Sequence, residues 1–218
     1  MKVPKSEETR ARILTAALDL FHSQGFDATT MRDIAAIAGV ATGAAYYYFD
    51  SKDAIVLAFY DQARREMEPL LETALTESRD LTKRLRSIVD VKLKYFESSR
   101  ALLGALAGHT DPRHPLSPFS DQTRAIREAD IAFFDRALSG TRLRVPDDLM
   151  AHLPRLLWLY QMGIILFWIY DRSPSQRKTR ALNDKSVTLI ARLIRLAGLP
   201  LMQPLRRLAV DLVRTAVE

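Results

Sequence analysis

Apolar residues recur at intervals of three and four along nearly the whole chain, and the pattern predicts an all-α fold. That spacing gathers side chains on one face of a helix. The first run, Ile13, Leu14, Ala17, Leu18 and Phe21, follows a helix start at Ser6-Glu7-Glu8 and stops at Gly25, after a partly basic arm over residues 1–8. Acids in a first turn meet the positive end of the helix dipole. A second, shorter pattern follows at once. Thr30 is placed to cap a helix whose inner face carries Ile34, Ala35 and Ala38. Gly39 stands where the chain must turn, and a left-handed backbone there suits glycine alone. Val40 plugs the corner, and Ala41 or Thr42 opens another helix that runs to about Phe49, with Ala45 and Phe49 inward.

The outer face of that helix is left with Thr42, Gly43, Ala44, Tyr46, Tyr47 and Tyr48. Successive helical residues point about 100° apart, so three consecutive tyrosines cannot all enter a core. Small residues near the amino end allow close approach to base edges in a major groove, and tyrosine and threonine hydroxyls can donate to phosphate oxygens. Lys52 adds a cation suited to a phosphate, and Arg32 a second, for which a surface ion pair with Asp33 or Asp50 is the alternative. The candidate DNA contacts are therefore Thr30, Arg32, Thr42, Gly43, Ala44, Tyr46, Tyr47 and Lys52.

The string Ile34-Ala35-x-x-Ala38-Gly39-Val40-x-x-Gly43-x-x-Tyr46-x-Tyr48-Phe49-x-Ser51-Lys52 resembles the DNA-binding signature of TetR/AcrR-type bacterial transcriptional regulators, over roughly residues 8–55. The chain departs from it in having Ala41 where a polar cap often stands. The resemblance implies a helix-turn-helix DNA-binding domain at 1–52 and a larger helical effector-binding and dimerisation domain at 53–218. It also implies that the helix after Ser51 connects the two. The pattern runs that helix from about Asp53 to Ser78 with Pro69 inside it; about 25 residues span roughly 38 Å.

Further helices are expected at 81–98, 100–108 and about 120–138, separated by the proline-rich loop His109–Phe119. Segment 156–170 is apolar all round except for Gln161. Its fifteen residues are short for a membrane span of about 20, so the expected reading is a helix buried on every side, which Pro154 either begins or kinks. Ser173-Pro174-Ser175-Gln176 has the form of a capping box opening a helix to about 197. The helices at about 155–171 and 174–197 form an antiparallel hairpin. Two hairpins across a two-fold axis would make a four-helix dimer interface, as the family commonly does. A last amphipathic helix starts at Pro204, to cover the core or extend the interface.

Composition narrows the chemistry. The 218 residues are 48% hydrophobic and 27% charged, as in soluble globular proteins, and contain no cysteine. Disulfides, thiol redox sensing and thiolate metal sites are thereby excluded. The net charge of +6 adds little, because residues 1–52 hold six cations and six anions. The N-terminus has no apolar signal segment, and the cytoplasm is the expected compartment. His109, Asp111 and His114 share a loop without further ligands, so neither a metal nor a cofactor is expected. Glu-x-x-His, Asp-Asp-x-x-Asp and His-Glu-x-x-His patterns are absent, and an enzyme is not expected.

The expected function is that of a homodimeric transcriptional regulator, a repressor released from a near-palindromic operator by a small, largely apolar effector. The alternatives are a helical protein-interaction module without DNA binding and, behind it, an all-α enzyme. Candidate effector contacts are Tyr95, His109, Phe119, Phe133, Trp158, Gln161, Met162 and Ile165. Gln161 leads them, since a polar side chain in an apolar helix needs a partner.

Overall fold

In the computed structural model, which describes residues 4–217, eleven α-helices follow one another and no strand occurs among the described residues. They are α1 (Lys5–Ser23), α2 (Met31–Ile37), α3 (Thr42–Tyr48), α4 (Lys52–Thr76), α5 (Leu81–Tyr95), α6 (Arg100–Leu106), α7 (Arg124–Ser139), α8 (Asp147–Met150), α9 (Leu153–Tyr170), α10 (Arg177–Ala197) and α11 (Gln203–Val217). The expected arm over residues 1–8 lies outside the described residues at positions 1–3; from Lys5 the chain is already helical. Pro69 stands within α4, which continues past it to Thr76.

Two compact units result, the first comprising the chain up to Arg65 together with Phe96–Ile126 and the second comprising Glu66–Tyr95 and the chain from Arg127. Their boundaries fall inside α4, at the end of α5 and inside α7. The first unit thus takes in the start of α4 and all of α6. Its core shows why. Ile13, Ala17 and Phe21 of α1, Ile34 and Ala35 of α2, Ala45 of α3, Ile55, Val56 and Phe59 of α4 and Leu102 and Leu106 of α6 form one buried cluster.

Local chemistry fixes the helix pair. Thr30 Oγ1 accepts from the Asp33 amide at 3.2 Å, while the Asp33 carboxylate accepts from the Thr30 amide at 3.0 Å. This reciprocal capping box, with the Thr30 hydroxyl also donating to Asp33 at 2.7 Å, holds the Asp33 carboxyl below its usual range. Gly39 takes φ +64°, the left-handed turn that a Cβ would strain. Ser51 Oγ accepts from the Ala54 amide at 3.1 Å and caps α4 as expected.

In the second unit Arg84 ties two helix ends together. Its Nε donates to the Ala137 carbonyl at 2.9 Å and its Nη2 to that of Arg136 at 2.6 Å, while Nη1 reaches the carbonyls of Leu75 and Ser78. One guanidinium thereby joins carbonyls at the carboxyl ends of α4 and α7, of which that of Arg136 also accepts from the Gly140 amide at 3.0 Å. Buried Lys92 of α5 pairs with half-buried Asp130 of α7 at 2.6 Å. Tyr160 of α9 donates to Asn183 of α10 at 3.0 Å, and Asn183 donates to Asp90 of α5 at 3.1 Å. Burial raises both the Tyr160 and the Asp90 pKa.

The α9–α10 connection differs from the expected capping box. Ser175 and Gln176 both take left-handed φ values, 48° and 50°, so α10 opens at Arg177 and the Gln176 side chain does not cap it. Ser173 Oγ accepts from the Lys178 amide at 3.1 Å, and Asp171 accepts from the Thr179 amide at 2.9 Å and its hydroxyl at 2.7 Å. A buried carboxylate two residues upstream takes over the capping. Burial alone would raise the Asp171 pKa, but the hydrogen bonds from Ser173 and Thr179 outweigh it and hold the group well below the usual range. A lowered folded pKa gives stability that is in place above the ordinary carboxylate value and lost as pH falls through the lowered one. Asp171→Asn should therefore lower the melting temperature at pH 7, by a margin that narrows below about pH 4; circular dichroism melts across pH measure it.

Pro154 sits in the first turn of α9 and begins the helix. The expectation that this helix is buried on every side is corrected. Pro154, Leu157, Trp158, Gln161, Ile164 and Trp168 face the core, whereas Leu156, Leu159, Leu166, Phe167 and Tyr170 are exposed in the single chain. α9 is long and apolar enough to cross a membrane by length and composition, but its inner side carries the second unit's core.

Candidate nucleic-acid interface

Helix α3 presents its outer face as the spacing requires. Ala45 and the following Phe49 are buried, and Thr42, Gly43, Tyr46 and Tyr47 are exposed, with Ala44 and Tyr48 half-buried. Tyr47 is 84% exposed and Tyr46 52%. The Tyr48 ring supports Tyr47 edge-on at 5.3 Å between centroids. No side chain caps the first turn of α3 after Ala41, so its leading amides stay open on the face that carries Thr42 and Gly43.

The remaining candidates divide. Arg32 is exposed on the first turn of α2. Thr30 is exposed as well, but its hydroxyl is committed to the capping box. Lys52 is turned inward: its Nζ donates to the Phe26 carbonyl at 2.6 Å and lies 4.4 Å from the centre of the Phe26 ring. The ammonium thus pins the start of α4 to the loop between α1 and α2, a use that the residue's position just after Ser51 did not reveal. Lys52→Met should cost the first unit about 1–2 kcal/mol through the lost charge-assisted bond, read by urea denaturation. Spacing also passed over Ile37, which is 63% exposed at the end of α2 beside the turn.

The effector candidates fall in both units. His109 and Phe119 belong to the first. There the His109 and His114 rings stack at 3.9 Å, His114 Nδ1 accepts from the Leu116 amide and Asp111 pairs with Arg113 at 2.7 Å. Tyr95, Phe133, Trp158, Gln161, Met162 and Ile165 belong to the second. Tyr95 donates to Glu66 at 2.5 Å, and burial together with that carboxylate raises its pKa. Phe133 and Trp158 are buried, Met162 and Ile165 half-buried. Gln161 is fully buried, and neither its Oε1 nor its Nε2 has a hydrogen-bond partner among the described residues.

A short helix pair joined by a left-handed glycine, with hydroxyl-bearing side chains free on the second helix, defines a helix-turn-helix protein. A model of the bacterial regulatory proteins of the tetR family matches residues 13–59, and one described as the tetracyclin repressor-like C-terminal domain matches residues 84–214, more than half of the chain. The protein belongs to the tetR family. The HTH-type transcriptional regulator TtgR of Pseudomonas putida is 37% identical over 73 residues, which cover 34% of this chain and 35% of TtgR, so the match spans about a third of that relative. In solved structures the fold recurs in the TetR transcriptional regulator from Nitrosomonas europaea, with a TM-score of 0.63 at 19% identity over 84% of this chain and 97% of that one. It recurs also in Thermus thermophilus FadR, a TetR-family transcriptional repressor in complex with lauroyl-CoA, with a TM-score of 0.60 at 25% identity over 82% and 93% of the two chains.

Proposed function

We propose that this chain is a homodimeric, sequence-specific DNA-binding repressor of the cytoplasm, released from its operator by a small, largely apolar effector. The observation that carries the DNA-binding part is the outer face of α3, where Thr42, Gly43, Tyr46 and Tyr47 are exposed around an uncapped first turn. Hydroxyls and backbone amides there suit phosphate oxygens, and the small residues let the backbone approach base edges. Arg32 adds a cation on the adjoining helix. The functional division keeps DNA contacts within residues 1–52 and effector and dimer contacts within 53–218.

Dimerisation is supported by the apolar outer faces of α9 and α10. Leu156, Leu159, Leu166, Phe167 and Tyr170 on one, and Leu182, Leu189, Leu193 and Leu196 on the other, are exposed, mostly at spacings of three, four and seven residues. Such spacing matches the seam of a left-handed helix bundle, and two hairpins would complete four helices. The Tyr160–Asn183 bond fixes the two helices of each hairpin to one another. Effector binding is supported by Gln161, whose amide offers donors and an acceptor inside an apolar helix. A largely apolar molecule with a single hydrogen-bonding group suits it, and the Thermus relative in complex with lauroyl-CoA supports a largely apolar ligand for this fold. α4, shared by both compact units, offers the covalent route by which effector occupancy would reset the recognition helices.

A mobility-shift titration with the region upstream of the protein's own gene tests this reading. A sequence-selective, salt-sensitive shift is the expected result. Its absence on any upstream fragment would overturn DNA binding and leave a helical interaction module.

A further inference from the structure

Helix α11 carries an apolar stripe that its own chain leaves uncovered. Leu201, just before the helix, and Leu205, Leu208 and Leu212 along it are exposed, Leu201 at 89%. Their 4-3-4 spacing is that of a helix–helix seam. The stripe is not the face by which α11 docks on its own unit. That role belongs to Arg206, Val210 and Val213, which are buried or half-buried. Arg206 donates to Asp148 of α8 at 2.7 Å and to the Ala197 carbonyl at the end of α10 at 2.8 Å. At 100° per residue the leucines lie roughly 140° around the helix from that docked side. Arg207, Asp211 and Arg214 take the third side, exposed to water. With the docked side held by an ion pair and a helix-end carbonyl, α11 cannot bury the leucines by rolling over.

We propose that this stripe packs against a second copy of the chain and that α11 is a further dimerisation element beyond the α9–α10 hairpin. The proposal rests on the homodimer reading above. Two observations select a second copy as occupant. Exposed leucines run without a break in sequence from the outer face of α10 (Leu189, Leu193, Leu196) through Leu199 and Leu201 into α11, so the stripe continues the face assigned to the dimer. The chain bends by 96° between α10 and α11, so the run of exposed leucines turns a corner there and continues along α11. The polar side of α11 mixes Arg207 and Arg214 with Asp211 and lacks the dense cationic face of a lipid-binding helix.

Sedimentation equilibrium of the full chain tests this against two variants, Leu205→Glu/Leu208→Glu/Leu212→Glu on α11 and Leu159→Glu/Leu166→Glu on α9. The α9 variant should be monomeric. The α11 variant should keep its helicity, since all three leucines are already exposed, and raise the dimer Kd at least about tenfold. A dimer Kd within about twofold of the parent would overturn the role of α11 while leaving the hairpin dimer intact. A monomeric parent would overturn both. Because the chain has no cysteine, Leu208→Cys can carry a single benzophenone. Illumination should give a covalent dimer, and Arg207→Cys on the charged side should not. Absence of the Leu208→Cys dimer, or capture of that label by phosphatidylglycerol vesicles instead, overturns the proposal.

Discussion

Replacing Tyr46 and Tyr47 together by alanine should lower affinity for the operator about a hundredfold while leaving the melting temperature where it was. Each tyrosine would contribute a contact of about 1–3 kcal/mol, and about 1.4 kcal/mol from each gives that factor. Stability is spared because Tyr46 and Tyr47 are both exposed, whereas the core residues of the same helix are Ala45 and the adjoining Phe49. Surface substitutions of this kind stay within about 0.5 kcal/mol. Tyr46→Phe removes only the hydroxyl and should cost about tenfold. The measurement is a fluorescence-anisotropy titration on specific and scrambled duplexes, with a circular dichroism melt alongside. A fall in melting temperature with DNA affinity unchanged would show that the tyrosines serve packing and not recognition.

Gln161→Leu should do the reverse, raising stability and removing the response to effector. A buried polar group without partners costs about 1–3 kcal/mol, and both amide atoms of Gln161 are in that state among the described residues. Leucine is close in volume and continues the apolar side formed by Leu157, Trp158, Ile164 and Trp168. A gain of about 1–3 kcal/mol amounts to several degrees for a chain of this size. Natural chains seldom keep such a cost without a use, and ligand recognition is the use proposed here. In thermal-shift screens of apolar molecules with one hydrogen-bonding group, ligands that stabilise the parent should lose most of that effect on the variant. A destabilised Gln161→Leu would mean that the amide has partners within the protein.

The helix-turn-helix was legible because its determinants are local. Thr30 and Asp33 cap across a single turn, Gly39 supplies the one left-handed backbone between the helices, and Ala45 and Phe49 define an inner face that leaves Tyr46 and Tyr47 no other place. The same logic gave the long helix after Ser51 and the α9–α10 hairpin. Lys52 shows the limit of local reading, because a lysine at a helix start looks alike whether its ammonium meets a phosphate or the Phe26 carbonyl, 26 residues earlier. The capping at α10 was misassigned for a related reason. Ser173 and Gln176 fit a capping box, but the acceptor that serves the Thr179 amide is Asp171, brought there by two residues with left-handed backbones that no pattern announces.

By itself, then, the order of residues determined an all-α chain, the position of its turn and the hydroxyl-bearing helix that follows, since period, caps and glycines act over one or two turns. Tertiary structure alone decided which side of the apolar α9 is covered, that Gln161 has no partner among the described residues, that Lys52 reaches the Phe26 carbonyl and that the leucines of α11 remain outside. Those facts depend on residues far apart in sequence arriving, or failing to arrive, at the same place. A hydrophobic period tells which side chains share a face, and only packing tells what, if anything, lies against it.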